Sequence, residues 1–200
     1  MSYWFHGTCF DSARNIAEFG IQLDQGREKR DFSHRKGFYL YPNIQWALQT
    51  AKSRCSQPLD TPTVIVFRLE NPNEVWSAPY RGIKFTTADV ENGSWQKEVK
   101  WYRNGMTTPD EGGHLADNNE TKDYYYGPMS SNRCLCHPHW DPVPIVDGQQ
   151  GYVNQLCIKQ MCRFGNAFQE HCRCGHLHRS LAHYFYIRIE KIICFPNAEE

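Results

Sequence analysis

An imidazole, a glycine and a hydroxyl stand side by side at His6-Gly7-Thr8, directly after the apolar run Tyr3-Trp4-Phe5. An apolar strand ending in His-Gly places a ring that can donate, accept or carry a proton at the rim of a sheet. The glycine lets a ligand approach the backbone closely. A second short apolar run, Gly37-Phe38-Tyr39-Leu40-Tyr41-Pro42, offers the Tyr39 ring and hydroxyl, and Phe38 next to it faces the opposite way. A third group is Cys134-Leu135-Cys136-His137-Pro138-His139 together with Cys172-Arg173-Cys174-Gly175-His176-Leu177-His178. Each cluster presents two thiols and two imidazoles within a few residues, a donor set that suits tetrahedral zinc when two such loops converge. The predicted metal ligands are Cys134, Cys136, Cys172 and Cys174, with Cys162 and His171 as spare donors. Free thiols, or disulfides between the loops, are the alternatives for these positions.

The elements that must position these groups follow from periodicity. Ala13, Ile16, Ala17 and Phe19 recur at helical spacing within 11–19, and Gly20 is placed to end the helix. The residues after Pro42, from Asn43 to Ala51, read as a second helix, so the chain opens strand, helix, strand, helix. Thr63 to Leu69 is β-rich and reads as a buried strand. Trp95, Val99 and Tyr102 share one side of a helix whose Lys97, Lys100 and Arg103 are expected to face solvent. Residues 104–123 are polar and rich in Gly, Asn and Asp, the composition of a long loop. Strands are expected again at Tyr124-Tyr125-Tyr126, over 152–159 and over 184–193. The last of these alternates polar and apolar positions as a half-buried strand does.

Composition bounds the reading. The chain has 200 residues, 40% of them hydrophobic, enough for a single domain over 1–200 with a core of its own. Twenty-two acidic side chains balance 22 basic ones, which argues against non-specific attachment to nucleic acid or to an anionic membrane. No signal-peptide pattern opens the chain and no apolar run reaches the roughly 18 residues of a membrane span. With nine cysteines, an odd count, the expectation is an intracellular chain, cytoplasmic or nuclear, with mostly reduced thiols.

The order His6-Gly7-Thr8, Gly20-Ile21, Asp31-Phe32, Gly37-Phe38-Tyr39 and Trp46-Ala47 resembles the ADP-ribosyltransferase-like domains, relatives of the poly(ADP-ribose) polymerase and diphtheria-toxin-like catalytic fold. In outline the resemblance runs on through 95–103, 123–130 and 155–159. Between Phe32 and Gly37 this chain has Ser-His-Arg-Lys, where the family has one glycine and one variable residue. The resemblance implies an α+β fold of split mixed sheets with flanking helices. To this the chain adds a Cys/His-rich excursion over 132–150 and 170–180 near its C-terminus.

The resemblance also implies NAD as substrate, held by His6, Gly7, Thr8, Phe38 and Tyr39. His6 would bond the adenosine-side ribose, the Gly7 backbone would hold the nicotinamide carboxamide, and Tyr39 would stack on the nicotinamide ring. Cleavage of the nicotinamide–ribose bond develops an oxocarbenium-like cation that the site must stabilise. Where relatives carry a catalytic glutamate, this chain offers Gln155, which can orient a hydroxyl but brings no negative charge. Glu98 is the alternative acid, and Arg35 and Lys36 are candidate pyrophosphate contacts. Poly(ADP-ribose) elongation is therefore not expected. The implied activity is mono-ADP-ribosyl transfer to an unknown protein or nucleic-acid acceptor. A 2′-phosphotransferase acting on tRNA fits less well, because its basic phosphate-binding positions are not evident. A non-catalytic NAD or ADP-ribose binding module and a zinc-organised interaction protein are the readings from other classes.

Overall fold

A computed structural model describes residues 2–23, 30–33, 37–55, 60–69, 82–104, 122, 124–131, 141–148, 151–158 and 187–195. Their order is β1 (Ser2–Cys9), α1 (Phe10–Phe19), β2 (Phe38–Leu40), α2 (Ile44–Arg54), β3 (Pro62–Leu69), β4 (Gly82–Lys84), α3 (Thr87–Glu91), α4 (Ser94–Arg103), β5 (Tyr124–Pro128), β6 (Val146–Asp147), β7 (Gly151–Tyr152), β8 (Asn154–Ile158) and β9 (Ile187–Cys194). The architecture is α+β with several small sheets. The chain divides into two compact units, one comprising Met1–Gln22, Leu40–Tyr80 and Met161–Glu200, the other Leu23–Tyr39 and Arg81–Gln160. No helix among the described residues is long and apolar enough to cross a membrane.

The first unit is built on a three-stranded antiparallel sheet in the order β1-β3-β9. The central strand explains why β3 is almost wholly apolar: flanked on both edges and covered, it buries Val64, Ile65, Val66, Phe67 and Leu69. On β9 the alternation from Ile187 to Glu190 is lost beyond that point, and the ladder shifts register between Val66 and Phe67. An extra residue in one strand of a pair swaps the faces of everything after it. Helix α1 stops where its N–H ladder meets Gly20, whose φ of 79° is open to glycine at little cost; the Gly20 N–H donates to Ile16 O. Helix α2 begins with Asn43, whose Oδ1 accepts from the Gln45 N–H at 2.8 Å.

The second unit carries a four-stranded mixed sheet in the order β2-β8-β5-β4, antiparallel between β5 and β8 and parallel between β4 and β5. Its core gathers Phe32, Tyr39, Phe85, Val90, Trp95, Val99, Tyr125 and Cys157. Phe32 stacks between Phe85 and Tyr125, with centroids 5.6 and 5.7 Å away. Trp95, fully buried on α4, satisfies its indole N–H on Pro128 O at 3.0 Å. A short capping box opens α3: Thr86 and Asp89 bond each other's backbone and side chains. Strands β6 and β7 form a separate two-stranded ribbon.

The structure differs from the sequence expectation in three places. Arg103, expected in solvent, is 8% exposed because it neutralises a buried carboxylate, and Glu98 on the same helix is also buried. The expected strand over 152–159 is two strands, β7 and β8, parted at Val153. Cys9 and Cys55 form a disulfide, an exception to the expected predominance of reduced thiols.

Candidate functional site

In the first unit, the geometry around His6-Gly7-Thr8 follows from strand alternation. Phe5 exchanges both of its backbone hydrogen bonds with Tyr41, each at 2.8 Å, so its peptide groups point away from β3. Residues two apart on an antiparallel strand share that direction, which turns the N–H and C=O of Gly7 to the same edge. The β3 edge is left to the even positions, His6 opposite Ile65 and Thr8 opposite Thr63. The Gly7 C=O accepts from Arg54 Nη1 at 3.0 Å.

Side chains alternate as well. Gly7 and Cys9 face α2, while Trp4, His6 and Thr8, all buried, share the opposite face. The reason for glycine at position 7 is explicit. A Cβ there would run into the carbonyl of Ala47 and lie 2.9 Å from the Ala51 nitrogen, both backbone atoms of α2. The close approach that sequence reasoning assigned to a ligand is made first of all by a helix.

In the second unit the expected site residues are engaged inside the protein. Tyr39 is 6% exposed; its hydroxyl accepts from the Phe32 N–H at 3.0 Å and lies 2.9 Å from Ser33 Oγ. Burial pushes this phenol well above its ordinary range, and the neighbouring Cys157 and Asp31 add to the rise. Phe38 is buried on the same strand. Gly37 is pressed against Ser33 and Cys157: a Cβ there would come within 2.7 Å of Ser33 Oγ and 2.8 Å of Cys157 Sγ.

Gln155 belongs to a hub that sequence reasoning did not single out. Its Nε2 donates to Asp31 Oδ2 at 2.7 Å. The Ser130 N–H donates to the same oxygen at 2.8 Å. The other oxygen, Oδ1, takes Ser130 Oγ at 2.8 Å, Arg103 Nε at 2.7 Å and an ion pair with Arg103 Nη2. Five donors on one buried carboxylate compensate its desolvation, and the fork of the guanidinium supplies the counter-charge. The legible signals were Asp31 within Asp31-Phe32 and Arg103 at the end of an amphipathic helix. Nothing in their spacing pairs residues 72 apart.

Glu98, the alternative acid, lies among tyrosines. Tyr102 Oη donates to Tyr125 Oη at 3.0 Å, their rings meet edge to face, and Glu98 bonds the Tyr125 hydroxyl. Burial raises both phenols above their ordinary range. The Glu98 charge adds to the rise for each, and the bond to Tyr125 partly offsets it for Tyr102.

The zinc expectation at Cys134, Cys136, Cys172 and Cys174, and the pyrophosphate expectation at Arg35 and Lys36, lie outside the described residues. Among the described residues no group of three or more His, Cys, Asp or Glu side chains could hold a metal ion. No family model, curated protein or solved structure matches this chain.

Proposed function

We propose that this chain binds NAD and transfers a single ADP-ribosyl group to an acceptor, with the His6-Gly7-Thr8 edge of β1 holding the nicotinamide end. The observation that carries the reading is the direction of the Gly7 peptide groups. Both point to the strand edge away from β3, the arrangement a carboxamide needs if it is to accept from an N–H and donate to a C=O on one residue. His6 and Thr8, buried on the face opposite α2, are the side chains closest in sequence to that edge.

A second reading, the non-catalytic NAD-binding module, is favoured by Gln155. Its amide nitrogen is committed to Asp31. That bond uses one of the two N–H groups; the other and the amide oxygen are left to orient a ribose hydroxyl, and these neither take up a proton nor oppose a cation with full charge. Incubation with NAD labelled separately in the nicotinamide ring and in the adenosine separates the two. Released nicotinamide, with label from the adenosine side appearing on an acceptor, supports transfer. Saturable binding without release identifies a module, and absence of both overturns the NAD reading altogether.

The two Cys/His clusters support one structural zinc per chain, held from Cys134, Cys136, Cys172 and Cys174. Metal analysis of freshly purified protein tests this: a stoichiometric zinc lost in Cys134→Ser and in Cys172→Ser is expected, and substoichiometric metal in the wild type refutes it.

A further inference from the structure

Two features of the first unit meet at Gly7. Cys9, two residues after Gly7 on β1, is joined by a disulfide to Cys55, the residue that caps the C-terminus of α2. Arg54, adjacent to Cys55 and last in that helix, places Nη1 3.0 Å from the Gly7 carbonyl oxygen. The covalent link and the guanidinium contact therefore pin one end of one helix to one stretch of one strand. Cys9, Arg54 and Cys55 are all partly exposed, within reach of a reagent from solvent.

We propose that the Cys9–Cys55 disulfide is a redox latch: while oxidised it holds Arg54 on the Gly7 carbonyl and withholds that carbonyl from a carboxamide ligand. This rests on the nicotinamide-binding reading of the His6-Gly7-Thr8 edge. The chemistry is thiol–disulfide exchange with a dithiol reductant. One reductant thiolate attacks a sulfur of the pair and the Cys9–Cys55 bond breaks. The departing cysteine leaves as a thiolate and takes up a proton. The second reductant thiol then resolves the mixed disulfide, so that two electrons and two protons pass to the protein and the reductant becomes a disulfide. Without the link, the last turn of α2, whose final carbonyls lack intrahelical partners, is free to fray and carry Arg54 with it. The Gly7 carbonyl is then available to accept from the carboxamide nitrogen.

The test measures NAD and nicotinamide binding by calorimetry for the oxidised protein, for protein reduced with a dithiol, for Cys55→Ser and for oxidised Arg54→Ala. A charge-assisted hydrogen bond must be displaced in the oxidised form alone, so about tenfold tighter binding is expected for the other three. Equal affinity in oxidised and reduced protein overturns the latch and leaves the NAD reading standing. The carbonyl carbon resonance of Gly7, followed by NMR with and without reductant, reads the latch independently of any ligand. If it shifts on reduction and in oxidised Arg54→Ala, but no form binds NAD, the latch stands and the NAD reading falls. If reduction leaves it unmoved, the latch is overturned whatever binds.

Discussion

The two units use motif residues in opposite ways. In the first, Gly7 is a contact residue by virtue of its backbone: its missing side chain admits α2, and its peptide groups are turned to a strand edge where a charged side chain already meets one of them. In the second, Tyr39 and Gln155 are consumed by the interior, one anchoring the Phe32 loop by its hydroxyl and the other completing the shell of Asp31. A hydrogen-bonding group already committed inside a fold contributes stability, and a ligand can use only the capacity that its present partners leave over. The difference separates a backbone turned to a strand edge from side chains that hold the fold.

Asp31→Ala is the most severe way to probe that contrast. It removes the carboxylate that the buried Arg103 guanidinium donates to, and breaking a buried pair from one side costs about 3–5 kcal/mol. Denaturant unfolding combined with hydrogen exchange should place the loss in the second unit. Adding Arg103→Met should recover much of it, whereas a loss below about 1 kcal/mol would dissolve the hub as a structural centre.

Gly7→Ala acts on the other side of the comparison. Its Cβ would meet backbone rather than a movable side-chain tip, so overpacking of about 1–3 kcal/mol is expected from thermal unfolding. An unchanged melting temperature would mean that α2 yields easily and that the glycine serves only a ligand.

Gln155→Glu sharpens the second half. If Gln155 were an idle stand-in for a catalytic acid, the substitution would raise NAD hydrolysis. A carboxylate in place of the amide nitrogen that bonds Asp31 at 2.7 Å sets two negative charges against each other, and a destabilisation of about 1–3 kcal/mol at neutral pH is expected, reduced on acidification as one of the pair takes up a proton. Faster hydrolysis with unchanged stability would show the hub to be dispensable.

At neutral pH the smallest effect belongs to the buried phenols, which respond only to alkali. Tyr39, Tyr102 and Tyr125 are all raised by burial, so the folded form keeps protons that the unfolded chain releases above about pH 10. Their contribution is intact below that pH and is lost as pH rises further. A spectrophotometric titration should show a late tyrosinate phase that coincides with unfolding. A phase that completes while the second unit remains folded would mean these phenols are reached by solvent.

The elements were largely legible because they rest on local pattern. The apolar run at 63–69, the spacing of Ala13 with Ile16, and Gly20 as a stop are each decided within a few residues, and β3, α1 and its cap formed accordingly. Partnerships across the chain were not. Arg103 reads as one more base on a solvated helix face until Asp31 is placed beside it, and Glu98 reads as surface until Tyr125 is found at its carboxylate. His6-Gly7-Thr8 was visible as a motif, but the reason for its glycine, the backbone of α2, lies about forty residues away. The Cys9–Cys55 pairing is equally hidden, because nothing local joins two cysteines 46 residues apart.

The Asp31 hub also sets an order of events. Its donors come from Arg103, Ser130 and Gln155, the last of them 124 residues away in sequence. A carboxylate gains nothing by leaving water until those donors have arrived, and each arrival closes a long loop at an entropic cost. The hub should therefore assemble after the folding barrier, once α4, β5 and β8 are in place. Interactions formed that late leave the rate of folding nearly untouched and act almost wholly on the rate of escape from the native state, so the buried carboxylate governs how long the second unit stays folded more than how fast it gets there.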